Sequence, residues 1–125
     1  LSDVFASIRL RGRVHIARVM SAGARATRRY NARRVAAQVN QSRELSPLMF
    51  ATVGLVELPR SVRSLELYPA PRTSFDVAIG TCTEDDQTIV TARSRASQHT
   101  VADLQELLEL LRNELLWGRL RDQSD

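Results

Sequence analysis

Ser74-Phe75-Asp76-Val77-Ala78-Ile79-Gly80 alternates apolar with small or polar residues, and Thr88-Ile89-Val90-Thr91-Ala92-Arg93 is a second, β-branched run. Both have the period of half-buried strands. Thr83-Glu84-Asp85-Asp86-Gln87 between them is polar, and Asp supplies turn chemistry, so this acidic run reads as a solvated hairpin turn rather than a carboxylate cluster. Beyond a loop, Val101, Leu104, Leu107, Leu108, Leu111 and Leu115, with Leu116 at the border, recur at spacings of three and four and form one helix face. Thr100 with Asp103 fits an N-cap followed by a first-turn acid, and Gly118 fits a C′ stop. The stretch predicts strand, turn, strand and a helix over 101–117, with 119–125 as a frayed tail.

Upstream, Val4 to Arg11 alternates weakly and predicts a first strand, broken by Gly12. From His15 to Tyr30 the residues Ile16, Val19, Met20, Ala24, Ala26 and Tyr30 recur at roughly helical spacing, with Arg18, Arg25, Arg28 and Arg29 mainly between them. Asn31 is a candidate break or bend, helical character resumes to Val39, and Asn40-Gln41-Ser42 is a stop. Leu48 to Val56 is continuous and β-rich, and predicts a strand covered on both faces. Gly54 within it predicts a bulge or a close approach. Val62-Arg63-Ser64-Leu65-Glu66-Leu67-Tyr68 alternates and predicts a further strand, ended by Pro69-Ala70-Pro71. The order is β, α, β, β, β, β, α. It predicts an α/β (α+β) fold, a mixed sheet of about five strands with helices on one face, over residues 1–118.

Composition narrows the function classes. One chain of 125 residues fits a single domain or one lobe of a larger one, and 43% apolar residues are too many for disorder. No apolar run approaches the roughly 20 residues of a membrane span. No basic segment precedes an apolar one at the start, so no signal peptide is read, and the missing initiator Met points to a start inside a longer product. The single cysteine, Cys82, excludes an internal disulfide and fits a reducing, cytoplasmic compartment. Its expected role is that of a small buried hydrophobe. All 18 basic residues are Arg. Residues 1–43 hold ten Arg and only Asp3, while 44–125 hold eight Arg and thirteen acids, so +9 and −5 give the net +4. Such a front segment can bind phosphates or face the acidic remainder of the protein.

Few residues invite chemistry. There is no Gly-rich phosphate loop, no Gly-x-Ser-x-Gly elbow and no Cys/His cluster. His15, His99 and Cys82 are too few for a zinc site. His99 could serve as a general base, but its expected place is an exposed loop before a helix, and His15 is read the same way. Arg28, Arg29, Arg33 and Arg34 form the best candidate patch for phosphate or a binding partner. Only Tyr30 is interleaved with them, which supports a solvated face opposite acidic neighbours over a base-stacking groove.

Taken in order, these elements resemble the C-terminal lobe of the condensation-domain and CoA-dependent acyltransferase superfamily, the chloramphenicol acetyltransferase-like fold. Val4-Phe5-Ala6-Ser7-Ile8-Arg9-Leu10-Arg11 looks like that family's Phe-x-Asn-x-Leu-Pro-Leu-Arg strand, and His15 to Tyr30 like the helix after it. Ser46 to Gly54 is similar to the strand ending near an Asn-x-Gly element, with Thr52 in place of the Asn. Phe75-Asp76-Val77-Ala78-Ile79 resembles the Phe-Asp-Leu strand, and Thr88 to Arg93 with Thr100 to Leu116 completes the hairpin and helix. The family's catalytic His-His-x-x-x-Asp-Gly belongs to the other lobe and occurs nowhere here, so no catalytic residue carries over. The family is normally about three to four times this length, in keeping with two lobes of ordinary domain size.

The resemblance implies acyl transfer from a CoA or carrier-protein thioester to an alcohol or amine, in lipid, polyketide or nonribosomal peptide biosynthesis. The general base would come from an N-terminal lobe or a second chain. The donor would be acyl-CoA or a phosphopantetheine thioester, with no tightly bound cofactor or metal, and an acyl carrier protein is an implied partner. This lobe would form one wall of a tunnel, with Thr52 and Gly54 the candidate wall residues. Two non-catalytic alternatives stand beside it: a basic module for nucleic acid or an acidic protein, and a lobe that only docks a carrier protein.

Overall fold

A computed structural model describes residues 2–37, 45, 48–62, 64–72 and 76–124, with side chains outside 34–37 and 118–124. The fold is α+β. Its elements are β1 (Asp3–Arg11), α1 (Ile16–Ala37), β2 (Met49–Leu55), β3 (Val77–Glu84), β4 (Gln87–Arg95) and α2 (Val101–Ser124). The four strands form one mixed sheet in the order β1-β4-β3-β2. β4 is antiparallel to both β1 and β3, while β2 runs parallel to β3.

Strand alternation divides the sheet into two faces. Val4, Ala6, Ile8, Val77, Ile79, Val90 and Ala92 share the face that meets the helices. There they pack with Val19, Ala22, Ala26 and Tyr30 of α1 and with Leu104, Leu107, Leu108, Leu110, Leu111 and Leu115 of α2. Each of these leucines is nearly or fully buried, worth about 1.5–3 kcal/mol apiece. Truncating the fully buried Leu108 to Ala would cost about 2–5 kcal/mol, since a cavity adds to the lost transfer energy.

The start of α2 follows its sequence signal. Thr100 Oγ1 accepts the Asp103 N–H at 3.1 Å, and Asp103 carboxylate Oδ2 accepts the Thr100 N–H at 2.9 Å, a reciprocal capping box. Its far end does not. The helix runs through Gly118 to Ser124, because one glycine costs only about 1 kcal/mol in a long helix. Leu110 joins the buried face, whereas Val101 and Leu116 are exposed. In α1, Asn31 does not break the helix. Its side chain accepts the Leu45 N–H at 2.7 Å and donates to the Leu45 carbonyl, fixing the returning chain.

Two strand expectations are corrected. β2 is not covered on both faces. It is an edge strand with Thr52, Val53 and Leu55 exposed, and only Phe50, with Leu48 just ahead of the strand, packs against the core. The alternating stretch at 62–68 makes no strand in its described residues. Ser64–Tyr68 crosses the sheet face opposite the helices as a strap, held by side-chain donors on the strands. Cys82 Sγ donates to the Leu65 carbonyl at 3.0 Å, Thr91 Oγ1 to the Leu67 carbonyl and Arg93 to the Tyr68 carbonyl at 3.3 Å. A Cβ at Gly80 would collide with the Leu67 carbonyl and sit 2.7 Å from Pro69 Cδ, so only glycine lets the strap lie this close. Asn40-Gln41-Ser42, Ser46, Pro47, Ser74 and Phe75, used in the sequence argument, lie outside the described residues.

Candidate functional site

Thr52 and Gly54 sit where β2 departs from regular pairing. Thr52 pairs with Thr81 and Gly54 with Cys82, so Val53 is the extra residue of a bulge. Gly54 has φ +71°, a region that side-chain-bearing residues rarely adopt, and its N–H donates to Thr52 Oγ1 at 3.0 Å. The Thr52 hydroxyl proton therefore remains available to a ligand, since a hydroxyl accepts and donates at once.

Parallel pairing of β2 with β3 sets Thr52 beside Thr81, and Thr83 follows on the same face of β3. The loop into α1 closes the other side. It is pinned by Thr88, whose Oγ1 accepts the Val14 N–H and donates to the Gly12 carbonyl, both at 2.9 Å. His15 ends this loop, and its Nδ1 accepts the Ala17 N–H at 3.1 Å. With Nδ1 accepting, the ring presents Nε2–H as a hydrogen-bond donor to a ligand. Thr52, Gly54, Thr81, Thr83 and His15 thus line one open cleft of about 310 Å³ at the carboxyl ends of β2 and β3.

The arginine candidates fare differently. Arg25 Nε donates to Glu114 at 2.9 Å, Arg29 Nε reaches the other oxygen of the same carboxylate, and Arg33 pairs with Glu106 at 3.6 Å. Glu114 is buried between the helices, so α2 acids neutralise much of the α1 basic face. Arg28 is exposed with no ion pair among the described residues. The side chain of Arg34 lies outside the described residues. Among the described residues Arg28 is thus the one member of the patch without an ion pair, and with Arg25, Arg29 and Glu114 it lines an open groove that also includes exposed Trp117.

The remaining candidates take structural places. His99 is buried, not exposed as the loop reading has it. Its N–H donates to the Arg95 carbonyl at 3.1 Å, and its Nδ1 lies 4.0 Å from Asp103. Asp85 and Asp86 are the exposed turn, but Glu84 is buried. Glu84 Oε1 accepts from Arg9, Ser64 and Gln87, tying β1 and the strap to the hairpin. Burial pushes the Cys82 thiol up, and the Glu84 carboxylate adds to it, so Cys82 is a poor thiolate. Among the described residues no three His, Cys, Asp or Glu side chains are grouped to hold a metal ion. No described helix is long and apolar enough to cross a membrane.

Sequence reasoning singled out Thr52 and Gly54 but not Thr81, Thr83 or His15 as their companions. Nothing in one sequence announces which strand pairs parallel with β2. No family model, curated protein or solved structure matches the chain.

Proposed function

We propose that this chain is the C-terminal half of an acyltransferase or condensation enzyme, and that it forms the wall of a thioester site rather than its base. The reading is carried by the convergence of Thr52, Gly54, Thr81, Thr83 and His15 on one cleft. Hydroxyl and imidazole donors can hold a thioester carbonyl, and Gly54 leaves backbone open to a narrow ligand such as a pantetheine arm. These groups would position the acyl donor, acyl-CoA or an acyl carrier protein, for a nucleophile activated elsewhere. The base, and the alcohol or amine acceptor, would come with an N-terminal lobe or second chain bearing His-His-x-x-x-Asp-Gly, in a cytoplasmic biosynthetic enzyme. The exposed edge of β2, with Val53 and Leu55 half in solvent, is a fitting seat for that lobe.

The nucleic-acid alternative is less well supported, because Arg29 and Arg33 already face Glu114 and Glu106. The test is titration of the ¹⁵N-labelled chain with hexanoyl-pantetheine. Amide shifts at Thr52, Gly54, Thr81 and Thr83, weakened about tenfold by Thr52→Val, support the reading; a lost hydrogen bond of about 1 kcal/mol accounts for most of that factor. Absence of shifts there, together with binding of single-stranded nucleic acid that collapses with salt, would replace it with the basic-module reading.

A further inference from the structure

We propose that the chain carries a second ligand site, for an amphiphilic anion, where the end of β1, the start of α1 and the later turns of α2 meet. A pocket of about 260 Å³ opens there, lined by Leu10, Leu115 and Leu116 together with Arg11, Arg18 and Arg112. No acidic side chain lines it. Arg9 also borders it but is committed to Glu84 and Ser64, and Arg112 bonds Glu109 at 3.1 Å. Arg11 and Arg18 are exposed, and their guanidiniums have neither hydrogen bond nor ion pair among the described residues. This sets them apart from Arg25, Arg29, Arg33 and Arg93, each of which has a carboxylate partner.

The combination defines the ligand. Two uncompensated guanidiniums in one lining give it a positive potential, which an anion bound there lowers while offering oxygens to the planar forks. Leu10 and Leu115 supply an apolar wall, and Leu116 is 54% exposed, an apolar surface that gains by being covered. An apolar cavity of ~150 Å³ already admits benzene, so this pocket has room for a ring or a short aliphatic chain. The ligand is therefore a carboxylate or phosphate carried on hydrocarbon. The site does not depend on the acyl-transfer reading. It lies across the Gly12–His15 loop from the threonine cleft, with Val14 common to both linings.

Isothermal titration with octanoate, octyl phosphate, octanol and inorganic phosphate, each below its aggregation limit, tests it. An octyl anion should bind at least roughly tenfold more tightly than octanol, the factor expected of a charge-assisted hydrogen bond, and than inorganic phosphate, which has no chain to cover the leucine wall. Whichever octyl anion is tighter identifies the head group. Arg11→Gln/Arg18→Gln should abolish that preference, whereas Arg60→Gln/Arg72→Gln, an equal charge change at exposed positions on either side of the strap, should leave it intact. Leu116→Glu, at an exposed position the fold tolerates, should also abolish it and serves if the double variant fails to fold. Octanol binding as tightly as octanoate, inorganic phosphate as tightly as octyl phosphate, or no binding of either octyl anion would overturn the proposal. Hexanoyl-pantetheine shifts at Thr52 are read separately, so either site can fail alone.

Discussion

Glu114 and its two arginines allow an asymmetric perturbation. The carboxylate side chain is 4% exposed, whereas Arg25 and Arg29 are 32% and 62% exposed. Removing the arginines, as in Arg25→Met/Arg29→Met, strands a buried negative charge, and breaking such a pair costs about 3–5 kcal/mol. Arg28 lines the same groove and can lean toward the carboxylate, which places the cost near 3 kcal/mol, at the low end of that range. Removing the acid, as in Glu114→Met, is different. The arginines return to water, a group of similar volume fills the gap among the leucines, and stability changes by about 1 kcal/mol or less. Combining all three substitutions should cost little more than Glu114→Met alone, because no buried charge remains to be stranded. Urea unfolding reads this directly: with a slope of about 1–3 kcal/mol per molar, the double arginine variant should shift its midpoint by roughly 1–3 M. If Glu114→Met costs as much as the arginine pair, or if the effects simply add, the ion cluster is not organised around its desolvated acid.

Gly80→Ala should displace the strap, since the new methyl meets the Leu67 carbonyl and the Pro69 ring, at about 1–3 kcal/mol for an overpacked site. Cys82 donates to the strap at Leu65, so its reaction with a neutral disulfide reagent should speed up in parallel, and an unchanged rate would refute the covering role. The thiol also sets a pH dependence. Its folded pKa is raised, chiefly by burial, so the unfolded chain releases the proton first. The contribution is fully present below about pH 8.5, the ordinary thiol value, and is lost as pH rises through the folded value. Tyr68, raised chiefly by burial and by Glu66, acts in the same sense at higher pH. Cys82→Ala should therefore lose less stability than the parent between pH 8 and pH 10 by chemical unfolding; equal slopes would contradict the assignment.

What the sequence shows of this fold is mostly what is local. The β3–β4 hairpin and the capped α2 are legible because period, turn chemistry and cap residues agree within a few positions. β2 misled because a continuous apolar run carries no record of which side another element covers, and here Val53 and Leu55 face solvent. The alternation from Val62 to Tyr68 is genuine, but its described residues spend backbone carbonyls on side chains of the sheet in place of a neighbouring strand. Glu114 looks like a residue of the polar side of α2 until α1 brings two arginines to it. At the cleft, Gly54 is readable as a bulge because a glycine inside a strand run marks one, and its φ of +71° is one that residues with side chains rarely adopt. Thr81 and Thr83 were not, since their relation to Thr52 exists only through parallel pairing across a long connection.

The strap has a consequence for how this chain can vary. Its described anchors at Leu65, Leu67 and Tyr68 are carbonyl oxygens, which every residue type possesses, while the donors reside on Cys82, Thr91 and Arg93. Substitution at Leu65, Leu67 or Tyr68 thus keeps these acceptors, substitution at Ser64 removes the hydroxyl that donates to Glu84, and substitution on the strands deletes the donors. In a saturation library the strap beyond Ser64 should behave as a permissive segment under a demanding one. The grip that holds it would be inherited through strand positions that never belong to the strap itself.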